Sequence, residues 1–306
     1  MGWPGRDGRE PAPALARPES GCPEPERPRA TPGALTATWV GHSTVLLQLG
    51  PINVLTDPVF SDRVSPVSFA GPRRLQPPGL ALEALPPLDL LLLSHDHYDH
   101  LDAPSVRWLA EHHPAAQWRA PLGVDARLRA LGVTWVRGMD WWETEAVETA
   151  RGVATVACTP AKHFSSRGLH DRNRTLWSGF AVAAAGRRVY FAGDTGDHPE
   201  FGGIGARHGP FDLMLVPVGA YAPRWVMRAI HLDPEEAARA VRTLLAASPG
   251  PAPHRSAVLP IHWGTFHLTD EPVDEPPRRF RAAWRAAGLP EADLWLLRHG
   301  ETRRLE

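Results

Sequence analysis

An α/β sandwich, two packed mixed β-sheets flanked by helices, is the fold class that this sequence of 306 residues predicts. Three observations carry it. Short apolar segments follow one another at the start of the folded region before any helical pattern appears. Further along, apolar runs of strand length are mixed with amphipathic stretches of helix length. One of those runs, in "LDLLLLS" (Leu88 to Ser94), is almost continuously apolar, as a fully buried strand must be. Several strands in a row argue for two sheets face to face rather than a strictly alternating doubly wound sheet.

In chain order, residues 1–34 are dense in Pro, Gly, Arg and Glu and read as a disordered extension. A single domain is expected over 35–306. "TATWVGHSTVLLQLGPINVLTDP" reads as two or three strands, with Gly41 and the pair Gly50-Pro51 as turns. Val59 to Pro87 is a long loop, more often functional than accidental inside a compact domain. "APSVRWLAEHH" and "GVDARLRALGV" read as helices; "GVATVACTPAKHF", "LWSGFAVAAA", "RRVYFAGD" and "FDLMLVPVG" read as strands. Asp233-Pro234-Glu235-Glu236 is a helix start, with an N-cap Asp, Pro at the first helical position and Glu at the third. The helix behind it carries Ala237, Val241, Leu244 and Leu245 on one face. A strand "SAVLPIH", a helix from about Pro277 to Ala287 and a last strand "DLWLLR" complete the reading.

Composition removes several function classes. The net charge of -1 argues against a nucleic-acid partner. Two cysteines, Cys22 and Cys158, make no disulfide framework, so a reducing compartment is the expectation. The N-terminus lacks the apolar core of a secretory signal, and no window approaches the roughly 18 apolar residues of a membrane span. A cytoplasmic location follows, with peripheral membrane contact left open. Nothing in the sequence speaks to oligomeric state.

Chemistry concentrates in "SHDHYDHLD". His95, His97, Asp99 and His100 follow directly on the leucine strand, where side chains two or three apart can converge. Imidazole nitrogens with carboxylate oxygens suit a borderline divalent cation, zinc above all, and four candidates in six residues can serve two ions. His163, Asp194 and His262 each stand where another apolar strand ends. His42, in "VGHST", supports the locus from an early turn. Two stretches are candidate substrate walls. One is Pro58–Pro78, with Val59, Phe60, Phe69, Arg73 and Arg74; the other is Ala220–Ile230, with Tyr221, Arg224, Trp225, Met227 and Arg228. Aromatics beside Arg suit an amphipathic anion such as a phospholipid.

The motif His-x-His-x-Asp-His, followed by a later His, Gly-Asp-Thr-Gly and a final His, resembles the metallo-β-lactamase fold superfamily from about Thr36 onward. "WVGHSTVLLQ", "LTDPVFSDRVSP", "FAGDTGD", "HLDPEEA" and "IHWGTF" are similar to the branch that holds N-acylphosphatidylethanolamine-hydrolysing phospholipase D and its bacterial relatives. The resemblance implies a dinuclear site. His95, His97 and His163 hold one zinc; Asp99, His100 and His262 hold the other; Asp194 bridges them. Asp57, in "LTDP", orients ligands from behind, and His231 is a substrate-side histidine. The branch's hydrophobic membrane-facing element has no counterpart in the polar N-terminal tail.

Two zinc ions, or iron or manganese in their place, lower the pKa of a bridging water and offset charge on a phosphoryl or carbonyl oxygen. The leading expectation is therefore a phosphodiesterase of the phospholipase D kind, with Asp99 and His231 in catalysis and His231, Tyr221 and Trp225 against substrate. A lactonase or other ester or sugar-phosphate hydrolase on the same site is the alternative, and a non-enzymatic metal-binding protein the more remote one.

Overall fold

The structure is a computed structural model that describes residues 34–67, 69–250 and 255–305. Residues 1–33 of the expected N-terminal extension, Cys22 among them, lie outside the described residues. The first sheet has seven strands: β1 (Leu35–Gly41), β2 (Thr44–Leu49), β3 (Ile52–Thr56), β4 (Leu90–Leu92), β5 (Gln117–Pro121), β6 (Val136–Met139) and β13 (Thr302–Leu305), in the order β13-β1-β2-β3-β4-β5-β6. The second has six: β7 (Thr144–Thr149), β8 (Gly152–Thr159), β9 (Gly179–Ala184), β10 (Arg187–Phe191), β11 (Leu213–Pro217) and β12 (Ala257–Ile261), in the order β12-β11-β10-β9-β8-β7. Both are mixed. The β1–β3 meander is antiparallel and runs into the parallel β3-β4-β5-β6; antiparallel β7 to β10 run into parallel β10-β11-β12.

Helices cover the outer faces: α1 (Ala103–His112) and α2 (Val124–Ala130) on the first sheet, and α3 (Glu200–His208), α5 (Pro234–Ala247) and α6 (Glu275–Ala286) on the second. A short helix, α4 (Arg224–Met227), precedes α5. The leucine run shows why this works. Leu90 and Leu92 join Trp39, Phe180 and Leu215 in the core between the sheets, while Leu91 and Leu93 join Val106, Leu109 and Leu128 beneath the helices. Strand side chains alternate faces, so a strand covered on both sides must be apolar at every position.

The start of α5 forms as its sequence dictates. The Asp233 side chain accepts from the Glu236 N–H at 2.8 Å, Glu236 Oε2 accepts from the Asp233 N–H at 3.2 Å, and Pro234 stands inside the first turn. Asp102 occupies the N-cap position of α1, but its carboxylate accepts instead from the Phe60 and Ser61 N–H groups and the Ser61 and Ser105 hydroxyls, tying down the long loop.

The end of the chain differs from expectation. "DLWLLR" forms no strand; it makes one bridge, Leu294 to Val258, and then leaves for the other sheet, where β13 pairs antiparallel with β1. Trp295 and Leu297 are buried in the inter-sheet core, which explains the apolar pattern without a ladder. The sequence reading also passes over β5, β6, β7 and α3. In β5, Arg119 and Pro121 interrupt the apolar pattern; Arg119 is nevertheless buried, paired with Glu145 of β7.

Cys158, in β8, is fully buried, and burial pushes its thiol up to about 12. In a Cys22→Ser variant, the single thiol is expected to stay unreactive toward a disulfide reagent at pH 8 until the protein is unfolded. Reaction of the native protein at the unfolded rate would show that β8 opens locally.

Candidate metal centre

Strands β1, β3 and β4 of the first sheet run one way, and so do β8, β10 and β12 of the second. The candidate ligands follow their C-terminal ends. His42 follows β1, Asp57 follows β3, and His95 to His100 lie beyond β4; His163, Asp194 and His262 lie beyond β8, β10 and β12. Three of these residues hold left-handed backbone, His42 at φ 53°, Asp57 at 29° and His262 at 63°. Each such non-glycine residue costs about 1–3 kcal/mol, and it persists only where neighbours over-determine it. His42 is held this way: its N–H donates to Thr265 Oγ1 at 2.6 Å, and its carbonyl accepts from Trp39 Nε1 at 2.9 Å and the His262 N–H at 3.1 Å.

The ring protons are assigned by the hydrogen-bond network. Asp57, fully buried, accepts from the Ser94 N–H at 2.7 Å, the Ser94 hydroxyl at 2.6 Å and His100 Nδ1 at 2.5 Å. The Ser94 hydroxyl proton is thereby used, so His95 Nδ1 donates to Ser94 Oγ at 2.9 Å. His163 Nδ1 donates to the Ile230 carbonyl at 2.9 Å. The Nε2 lone pairs of His95 and His163 then both face His97 Nδ1, at 2.9 and 3.2 Å. One proton on His97 cannot satisfy both.

A second cluster adjoins the first. His262 Nε2 and His100 Nε2 lie 3.0 and 3.2 Å from Asp194 Oδ2, and 3.4 and 3.5 Å from Asp99 Oδ2. Asp194 Oδ2 is also 3.9 Å from His163 Nε2, so it faces both clusters. Asp194 Oδ1 is buried with no hydrogen-bond partner. Burial opposes ionisation of Asp99 and Asp194, yet both sit well below the usual carboxylate range, held there by His100 and then His262. Burial lowers His95, His97 and His163. It also works against protonation of His100 and His262, but Asp194 and Asp99 raise His100 well above its ordinary value and take His262 up to about 9. Positive charge is demanded between these donors. Divalent cations fit: the nitrogen and oxygen atoms already converge, and the protons of His95, His100 and His163 already point away.

All seven ligand candidates come together here. His42 does too, with Nε2 3.1 Å from Asp99 Oδ2, closer to the ligands than a supporting turn implies. His231 Nδ1 lies 3.9 Å from Asp194 Oδ2, and burial takes this ring down to about 4. Asp96 points away from the centre, paired with Arg127 and Thr175.

Asp99, Asp194 and His231 reach a cleft of about 540 Å³ whose walls include Phe164, Met227, Ile230 and Leu268, with Arg172 as its one Arg or Lys among the described residues. The expected Ala220–Ile230 wall is there through Ala220, Val226, Met227, Ala229 and Ile230, but Tyr221, Arg224, Trp225 and Arg228 do not line the cleft. Tyr221 is buried behind the cleft, where its hydroxyl donates to Glu275 Oε1 at 2.7 Å and Arg279 covers its ring. Trp225 is 88% exposed and does not line the cleft, although its neighbours Val226 and Met227 do. Among its described residues, the Pro58–Pro78 loop contributes none to the lining; Arg73 pairs with Asp62, and Arg74 bonds the Val59 and Ser61 carbonyls beneath Phe266. Phe164 and Leu268 were unmarked in the sequence; their only signal is closeness to His163 and His262.

The family model described as Beta-lactamase superfamily domain matches residues 52–263. The chain belongs to the beta-lactamase superfamily. Among its relatives is N-acyl-phosphatidylethanolamine-hydrolyzing phospholipase D 1 of Caenorhabditis elegans, 43% identical over 249 residues, covering 79% of this chain and 67% of the relative. The mitochondrial N-acyl-phosphatidylethanolamine-hydrolyzing phospholipase D of Saccharomyces cerevisiae is 34% identical, covering 81% of this chain and 52% of the relative. A metallo hydrolase from the archaeon Ignicoccus hospitalis shares the fold, with a TM-score of 0.65 at 23% identity over 89% of this chain and 99% of that one. This superfamily member is a metal-dependent hydrolase. No helix among its described residues is long and apolar enough to cross a membrane.

Asp57→Asn puts an amide where the carboxylate accepts three hydrogen bonds. It is expected to weaken metal binding by about 10–100-fold with an unchanged far-ultraviolet circular dichroism spectrum, measured by chelator competition. Wild-type affinity would show that Asp57 does not orient the ligands.

Proposed function

We propose that the protein is a dinuclear zinc-dependent phosphodiesterase acting on a phospholipid-like substrate. The observation that carries this reading is Asp194 Oδ2, which faces both ligand clusters beneath an apolar cleft. The two phospholipase D relatives support the choice of a phosphodiester bond.

His95, His97 and His163 would hold one ion; Asp99, His100 and His262 the other; Asp194 both, with His42 beside the second. Two divalent cations bound there would acidify water at neutral pH and offset charge on the phosphoryl group. Around them the chain's own residues do the rest. Phe164, Met227, Ile230 and Leu268 exclude water and receive an acyl chain. Arg172 attracts the anion at the lip. His231 offers its ring to a phosphate oxygen or to the departing alcohol. Trp225, exposed to solvent beside the wall residue Val226, gives the protein an aromatic contact with a lipid surface.

A screen of the zinc-loaded protein against bis-p-nitrophenyl phosphate, N-acylphosphatidylethanolamine and lactones is expected to give phosphodiester turnover well above lactone turnover, abolished in Asp99→Ala. Lactone turnover far exceeding phosphodiester turnover would make the protein a lactonase instead. His231→Ala is expected to lower kcat by about 10²–10⁴ while two zinc ions per chain remain by elemental analysis. Zinc loss as complete as in His97→Ala would move His231 into the ligand set.

A further inference from the structure

Arg224 has the character of a substrate-side cation in the sequence, yet its guanidinium is used inside the protein. Nη1 donates to the His231 carbonyl at 2.9 Å, Nη2 donates to Glu236 Oε2 at 2.6 Å, and Nε lies 3.5 Å from Asp233 Oδ2. Asp233 and Glu236 are themselves locked together as the capping box of α5. Arg224 therefore ties the segment leading into α5 to the rigid end of that helix. The carbonyl one residue earlier, that of Ile230, accepts from His163 Nδ1 at 2.9 Å. One residue later, the Leu232 N–H donates to the Thr195 carbonyl at 2.8 Å, beside Asp194.

We propose that Arg224 is a positioning residue: by holding the His231 carbonyl it fixes the neighbouring Ile230 carbonyl, and so sets the ring orientation of His163. The proposal rests on the metal reading given above. Its consequence is selective. His163 belongs to the cluster with His95 and His97, so loss of Arg224 loosens one ion and leaves the other, held through His100 and His262, in place. The same segment supplies Met227 and Ile230 to the cleft wall, so the surface that receives substrate and the carbonyl that aims a ligand are one continuous piece of backbone.

The test is zinc titration of the metal-free protein in competition with a chromophoric chelator, with the melting temperature of the metal-free protein recorded alongside. Arg224→Ala is expected to bind one of two zinc ions about 10–100-fold more weakly and the other as wild type does. Arg224→Lys, which can still donate to the His231 carbonyl, should fall in between. Arg228→Ala should match wild type, because Arg228 is exposed and only approaches Glu236, at 4.0 Å. Unchanged affinity for both ions in Arg224→Ala overturns the proposal. So does equal weakening of both ions together with a lowered melting temperature, which would mark Arg224 as a packing residue only. If Arg224→Ala does not fold, Arg224→Lys against Arg228→Lys decides by the same one-ion criterion. A wild-type protein that binds no zinc would defeat the metal reading itself, a result separate from any difference among the variants.

Discussion

The three hydrogen bonds accepted by the Asp57 carboxylate are the constraint on which the centre depends. The group is fully buried, and an ionised carboxylate is costly there unless its oxygens are satisfied. The Ser94 N–H and hydroxyl satisfy it from the end of β4, which fixes where the ligand turn begins. His100 Nδ1 satisfies it from the far end of that turn. Through the Ser94 hydroxyl the same carboxylate also settles which nitrogen of His95 carries the proton. One anion behind the site thus decides the orientation of two imidazoles in front of it.

The rest of the centre follows the same economy of backbone. Each remaining ligand stands just past an apolar strand, and the strands are held by cores on both of their faces. The strain at His42, Asp57 and His262 is consistent with this, since left-handed backbone is tolerated where packed strands leave no alternative. The apolar cleft is built differently. Its walls come from the loops after His163 and His262 and from the α4 segment, which are held by partners distant in sequence: Glu271 accepts from the Ala220 N–H, the Thr195 carbonyl from the Leu232 N–H, and Arg167 donates to the Asp96 carbonyl.

That division explains what could be read from the sequence. The leucine run, the ligand turn and the histidines and aspartate at strand ends are local signals, because a strand end delivers its next residues to a predictable place. The α5 capping box is local too. The place of Tyr221 is not legible, since it depends on a partner distant in sequence, and Trp225 carries no local sign that it turns to solvent while Val226 and Met227 line the cleft. The Tyr221 hydroxyl finds Glu275, 54 residues away, and nothing nearby announces that. Arg224 reads as a substrate cation in the sequence, but Glu236 and the His231 carbonyl take up its guanidinium. "DLWLLR" has the alternation of a strand, but its alternating side chains fill two cores rather than extend a ladder. β5 was hidden by a buried Arg whose partner lies on another strand.

The donors come from both halves of the sandwich: His42, Asp99 and His100 from the first sheet, His163, Asp194 and His262 from the second. A cation that engages them is therefore also a staple across one rim of the two layers. Binding to the native state alone adds stability that grows with the logarithm of free metal concentration. The resistance of the folded chain to heat and to proteases then becomes a gauge of how much metal its surroundings supply, and scarcity would be felt first as a shorter lifetime of the molecule.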